Sequence, residues 1–190
     1  MALPILVGVT GFKRAGKDTL AQVLIDEAGY ERVAFADALK AEVADYLGIT
    51  VSQLEEEKAR WREILQFRGC AVRAHNQNHW ISIIASDLIK QGLGSAAVTG
   101  KRFVVTDVRF RNEAAWIHAW RGTIIRVVRD GVVAADPSWH ISEREVSLIK
   151  ADECLDAATV EERIQGARDL LARWRADEII HENTSPSMNS

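Results

Sequence analysis

A short apolar run, Ile5 to Thr10, passes straight into Gly11-Phe12-Lys13-Arg14-Ala15-Gly16-Lys17-Asp18-Thr19, and then into Leu20, Val23, Leu24 and Ala28 at helical spacing. Strand, glycine turn, lysine and helix in that order constrain the chain more than any other feature. The glycines let the backbone curl around an anion, successive N–H groups point inward, and the helix N-terminus adds positive potential, while Lys17 bridges the outer phosphates of a nucleotide. Gly11, Lys13, Arg14, Ala15, Gly16, Lys17, Asp18 and Thr19 are therefore the expected ATP-binding residues, with Lys17 also catalytic. Asp18 stands where the usual pattern places a Ser or Thr hydroxyl on magnesium. The expectation is that Asp18 holds Mg²⁺ through water and that Thr19 reaches the α-phosphate. A glycine turn with a helix-opening Asp is the plainer alternative. Gly100-Lys101 superficially repeats the motif, but its glycine spacing is wrong and it leads into a strand.

Beyond this loop, short apolar runs (Arg32 to Phe35, Phe103 to Thr106, Thr123 to Val128, Glu153 to Asp156) alternate with helical patterns. The helical sets are Leu54, Trp61, Ile64 and Leu65; Ile81, Ile84, Leu88 and Ile89; Trp116 and Trp120; and Val160, Ile164, Ala167, Leu170, Leu171 and Trp174. Strand followed by helix, repeated, predicts an α/β fold with a parallel sheet between two helical layers. Gly29 is the expected stop of the first helix, and Ser52 with Glu55, Thr159 with Glu162, and Ser142 with Glu145 read as capping boxes. At 190 residues the chain fits one domain. We expect it over residues 1–174, with a helical insertion at about 37–92, a lid at about 129–147, and a polar tail over 175–190.

A net charge of -3 gives no general attraction for nucleic acid. The longest apolar runs fall short of the roughly 18 residues of a membrane span, and the N-terminal run lacks a basic segment before it. The expectation is a cytoplasmic protein that binds small-molecule nucleotides, with neither nucleic acid nor membrane as partner; a homodimer stays open. Cys70 and Cys154 stand far apart, so free buried thiols are expected. His75 and His79 lie four apart without a supporting carboxylate, which argues against a metal pair.

A second motif is Val104-Val105-Thr106-Asp107-Val108-Arg109-Phe110-Arg111-Asn112-Glu113. A strand ending in Asp brings a carboxylate to the crevice edge of a parallel sheet, so Asp107 is a candidate for the magnesium shell and for catalysis. Arg109 and Arg111 carry planar guanidinium groups suited to transferred phosphate. Asp107 as an N-cap, with the arginines as surface charges, is the alternative.

Taken in order, Gly11 to Thr19, Phe35-Ala36-Asp37-Ala38-Leu39-Lys40, Leu65-Gln66 to Arg73 with Trp80, Thr106 to Glu113, and His140-Ile141-Ser142-Glu143 resemble the phage deoxynucleoside monophosphate kinases. Asp18 in place of Ser or Thr is typical of that family. The resemblance implies a P-loop, adenylate-kinase-like fold with a five-stranded parallel core, a monophosphate-binding insertion and a lid. It implies transfer of the ATP γ-phosphate to a deoxynucleoside monophosphate, giving dNDP and ADP in the host cytoplasm if the chain is phage-encoded. It also implies a substrate site of Asp37, Lys40, Arg73, Trp80, Arg111, His140 and Glu143, in which the cations bind the monophosphate. Trp80 stacks on the base or fills the core, and Asp37 lines the site or caps its helix. Arg126 and Arg129 end the fourth strand where the lid begins, and Arg129 joins Lys17, Arg109 and Asp107 as a catalytic candidate. Where relatives carry Asn and Gly before a Thr, this chain has Asp156-Ala157-Ala158-Thr159, a departure in the loop that meets adenine. Two rival readings are a P-loop kinase for phosphomevalonate or dephospho-coenzyme A, and an ATPase switch with the insertion as its docking surface.

Overall fold

The structure is a computed structural model that describes residues 3–94, 100–129, 131 and 141–184; the side chains of Glu143 and of 178–184 are outside that description. Five parallel strands form one sheet: β1 (Leu6–Thr10), β2 (Tyr30–Val33), β3 (Arg102–Val108), β4 (Thr123–Val128) and β5 (Glu153–Asp156), in the spatial order β2-β3-β1-β4-β5. β1 is central, paired with β3 through Leu6↔Phe103 and with β4 through Val7↔Thr123. All five of its residues are buried, which is why it reads as an unbroken apolar run instead of an alternation. The outer strands β2 and β5 each leave residues exposed.

Helices cover both faces of the sheet. On one, α1 (Lys17–Ala28) packs with the last helix, Val160–Thr184, burying Leu20, Val23 and Leu24 against Ala167, Leu171 and Trp174. On the other, α6 (Arg111–Ala119) and the helix α5 (His79–Lys90) bury Ile117, Trp80, Ile84 and Leu88 against Phe103, Val105 and Ile124. Between β2 and β3 the chain is wholly helical among the described residues: α2 (Phe35–Leu47), α3 (Val51–Glu56), α4 (Lys58–His75) and α5. A small separate core of Val43, Ala44 and Leu54 joins α2 to α3 and α4. A six-residue helix α7 (Ile141–Val146) precedes β5, and the long helix from Val160 is α8.

Several local expectations change. α3 and α4 are two helices, separated at Glu57, where the spacing of Leu54, Trp61 and Leu65 predicts one. The box that opens α3 is Thr50 with Gln53, not Ser52 with Glu55: Gln53 N donates to Thr50 Oγ1 at 3.2 Å, and Thr50 N donates to Gln53 Oε1 at 2.8 Å. Glu55 instead pairs with Lys40 and Lys58. Ser142 lies inside α7, so it is not the N-cap of a box with Glu145. The Thr159–Glu162 box is present, with Glu162 N to Thr159 Oγ1 at 3.1 Å. Neither thiol is in a disulfide, as expected, but both are exposed, Cys70 on α4 and Cys154 on the edge strand β5. α8 continues to Thr184, past the expected start of a frayed tail. Arg168 and Arg175 tie it to Glu27, and the stretch is rich in good helix formers. No helix among the described residues is long and apolar enough to cross a membrane.

Candidate active site

In a parallel sheet every strand ends at the same edge, so the loops after β1, β2, β3, β4 and β5 gather there. The loop after β1 is built by backbone geometry. Gly11 has φ 145°, and a Cβ at that position would fall 2.4 Å from the Val127 carbonyl oxygen of β4. Gly16 has φ 97° and Arg14 φ 67°, which turn the chain back into α1. Gly16 is the N-cap of α1 and has no side chain to cap its amides; its carbonyl accepts from Thr19 N at 3.1 Å, and Ala15 N donates to the Phe12 carbonyl at 3.2 Å. Lys17 Nζ folds over the loop and donates to the carbonyls of Gly11 and Phe12, both at 2.9 Å. A glycine-built turn, a helix N-terminus and a lysine tethered across the loop fit a phosphate chain. Lys13, Arg14 and Asp18 are exposed at the rim, Ala15 is buried under it, and Thr19 is half-buried in the first turn of α1. Beside the loop, a cavity of about 60 Å³ lies between Gly11, Phe12 and Ala15 on one side and Arg126 to Arg129 on the other.

Asp107, near the end of β3, spends its carboxylate on α2. Oδ1 accepts from Phe35 N at 2.8 Å and Oδ2 from Ala36 N at 2.9 Å. It therefore caps a helix, but one 71 positions away and not its own. Burial pushes its pKa up, against the two amides and the Arg109 charge that pull it down. Each oxygen keeps a second lone pair, so an outer-sphere contact with Mg²⁺ through water fits, with exposed Asp18 as the other oxygen donor. Among the described residues no group of three His, Cys, Asp or Glu side chains is disposed to hold a metal ion directly.

The cations beyond Asp107 are organised by carboxylates. Arg73 of α4 places Nη2 2.7 Å from Glu113 Oε1, and its guanidinium carbon sits 3.8 Å from the centroid of the Phe110 ring. Glu113, 1% exposed, uses its other oxygen to accept from the amides of Arg109 (2.8 Å) and Phe110 (3.1 Å). Burial raises its pKa, while the Arg73 charge opposes the shift. Asp37 binds Arg32 at 2.6 Å and Lys40 at 3.2 Å, and Lys40 also reaches Glu55 at 2.5 Å. Burial raises the Asp37 pKa, but Arg32 and Lys40 together hold it below the usual carboxylate value. Arg111 is exposed, 3.5 Å from Glu145 of α7, and Arg129 is exposed at the end of β4. Next to Asp37, a cleft of about 640 Å³ runs between α2 and α5, lined by Asn76, His79, Ser82, Asp87 and Lys90 among others.

A protein of Acanthamoeba polyphaga mimivirus, which carries the name "Putative deoxynucleotide monophosphate kinase", is 30% identical over 171 residues, 77% of this chain and 84% of its own. The chain belongs to the deoxynucleotide monophosphate kinase family. It is a kinase of the P-loop class, a five-stranded parallel sheet between helices. Among solved structures, the dephospho-CoA kinase of Campylobacter jejuni superimposes with a TM-score of 0.54 at 15% identity, over 90% of this chain and 97% of that one, a likeness of fold. No family model matches.

Within this kinase one expected site residue is displaced. Trp80 is 1% exposed and sits in the core with Phe35, Ile84 and Phe103, edge-on to His79 at 4.7 Å, so neither face of the indole is open to a base. The apolar spacing of α5 turns it inward, and of its two readings the core one applies. Lys40 and Asp37 are brought together, and Arg73 makes its own pair with Glu113. His140 and the Glu143 side chain, with most of the expected lid, lie outside the described residues. Two residues were not singled out for the site from the sequence: Glu113 and Arg32. Glu113 ends the second motif three positions after Phe110, the spacing of a capping acid, and that was the available signal.

Proposed function

We propose that the kinase transfers the γ-phosphate of ATP to a deoxynucleoside monophosphate, giving dNDP and ADP. The reading is carried by Arg73, a guanidinium stacked on Phe110 and clamped by buried Glu113 on the crevice side of β3, at the sheet edge that also bears the phosphate loop. A preset cation at the same sheet edge as a phosphate cradle suits an acceptor that is itself phosphorylated. The name of the viral relative supports a deoxynucleotide as that acceptor.

Lys17 exchanges the Gly11 and Phe12 carbonyls for the outer phosphates of ATP, and the amides of Gly16, Lys17 and Asp18 hold the chain of phosphates in register. Arg109 and Arg129 flank the transferred group and offset the charge on its oxygens, with Arg111 further out on α6. Arg73 and Lys40 hold the acceptor phosphate, and Asp37 positions Lys40. Asp18 and Asp107 would hold magnesium through water, and the ion would supply charge neutralisation at the donor phosphates. The acceptor oxygen already carries negative charge, so no general base is needed and catalysis is alignment and charge neutralisation.

The test is ADP release across deoxy- and ribonucleoside monophosphates, with dephospho-coenzyme A and phosphomevalonate in the same panel. The proposal expects turnover with at least one deoxynucleoside monophosphate. Turnover confined to the other two acceptors, or unchanged without any acceptor, contradicts it.

A further inference from the structure

Arg163, in the first turn of α8, is 3% exposed, and among the described residues its side chain makes one hydrogen bond, from Nη1 to the Ala157 carbonyl at 3.0 Å. Its Nε is buried without a partner, and no carboxylate lies within ion-pairing distance among the described residues. The guanidinium lies against Gly16: a Cβ placed there would be 2.4 Å from Nε, 2.6 Å from Cδ and 2.9 Å from Cζ. A buried cation with no counter-ion is costly, and proteins retain such groups where a charge is supplied from elsewhere. Gly16 is also the N-cap of α1, the residue at which the phosphate loop turns into its helix.

We infer that Arg163 is a positioning residue of the nucleotide site, whose missing counter-charge is the phosphate chain of the nucleotide held on the far side of Gly16. The inference rests on the P-loop kinase reading above and adds a cation that no motif marks. Arg163 packs where a side chain at position 16 would go, so the absent Cβ of Gly16 is what lets its charge approach the cradle. Its bond to Ala157 ties the cradle to the loop after β5, so phosphate binding and the placement of that loop are set by one side chain.

The experiment compares wild type with Arg163→Gln, which can still donate to Ala157, Arg163→Met as a second neutral variant, and Arg163→Lys, which keeps the charge. Thermal unfolding is followed without ligand and with inorganic tripolyphosphate or ATP, and the KM values for ATP and for the acceptor are measured separately. Without ligand Arg163→Gln, which keeps the bond to Ala157, should melt no lower than wild type, since an unpaired buried charge has been removed, whereas Arg163→Met also gives up that bond. Their affinity for tripolyphosphate and their KM for ATP should worsen about tenfold, the scale of one unit charge acting across about 12 Å at an effective dielectric constant of about 20. The acceptor KM should stay unchanged, and Arg163→Lys should recover most of the loss. Neutral variants that melt lower yet bind tripolyphosphate as wild type does would show a structural strut and overturn the inference alone. Wild type that takes up neither tripolyphosphate nor ATP would overturn the kinase reading, and this inference with it.

Discussion

Arg73 and Glu113, 40 positions apart in the chain, meet through Nη2 and Oε1 at 2.7 Å in a pair that is nearly closed to solvent on the carboxylate side. The pair joins the helical insertion to the end of β3. Removing Glu113 leaves Arg73 without its charge partner and frees the Arg109 and Phe110 amides. Glu113→Ala should therefore cost about 3–5 kcal/mol in urea unfolding, with Glu113→Gln milder because its carbonyl can still accept from those amides. In the Gln variant the acceptor KM should rise more than the ATP KM, since the guanidinium it releases belongs to the acceptor side. Equal changes in both would argue against that division.

Trp80 gives the opposite prediction. As a core residue, truncation to Ala should destabilise by about 3–5 kcal/mol. Trp80→Phe should fold and leave the acceptor KM within about twofold, because no base rests on the indole. A large rise in acceptor KM for the Phe variant, without loss of stability, would return Trp80 to the substrate site.

Gly11→Ala should distort the cradle. The new methyl would meet the Val127 carbonyl at 2.4 Å in a backbone conformation that L residues rarely adopt. We expect a loss of about 2 kcal/mol or more in unfolding free energy and weaker ATP binding by calorimetry.

The pH dependence of stability contains two opposed contributions. Burial works against ionised Asp37, but Arg32 and Lys40 outweigh it, so its pKa is lower folded than unfolded. The unfolded chain then binds the extra proton between the two values; stability from this group is complete above the ordinary Asp value of about 4 and is lost as pH falls through the folded one. For Glu113, burial raises the folded value, so the native state holds the extra proton and stability falls as pH rises from the ordinary Glu value to the folded one. Urea titrations from pH 3 to 7 should show Asp37→Asn flattening the acid limb and Glu113→Gln reducing a decline at higher pH to which buried Asp107 also contributes.

The parts of this site legible in the sequence are those made by neighbours in the chain. The phosphate loop is one, since strand, glycines, lysine and helix lie within 25 residues and each is set by local backbone physics. The order of strand and helix is another, because burial on both faces of β1, β3 and β4 leaves continuous apolar runs. Pairings across the fold were not legible. Asp107 reads as a cap or a metal ligand from its strand-end position, and only the fold reveals that the helix it caps is α2. Two S/T-x-x-E/Q patterns overlap at Thr50 and Ser52, and the chain's entry into α3 chooses the first. Apolar periodicity places Trp80 on an inward face without telling core from cleft. Arg163 carries no local signal at all, since its meaning depends on the bare Cα of Gly16, 147 positions earlier.

The most direct test follows the γ-phosphorus itself. ³¹P NMR of the purified kinase with Mg-ATP and a deoxynucleoside monophosphate should show the γ-signal of ATP replaced by the β-signal of a dNDP as ADP appears in equal amount. Lys17→Ala, folded as judged by circular dichroism, should leave the spectrum unchanged. Release of the γ-phosphorus as inorganic phosphate at the same rate with or without the acceptor, or wild-type transfer by Lys17→Ala, would contradict the account.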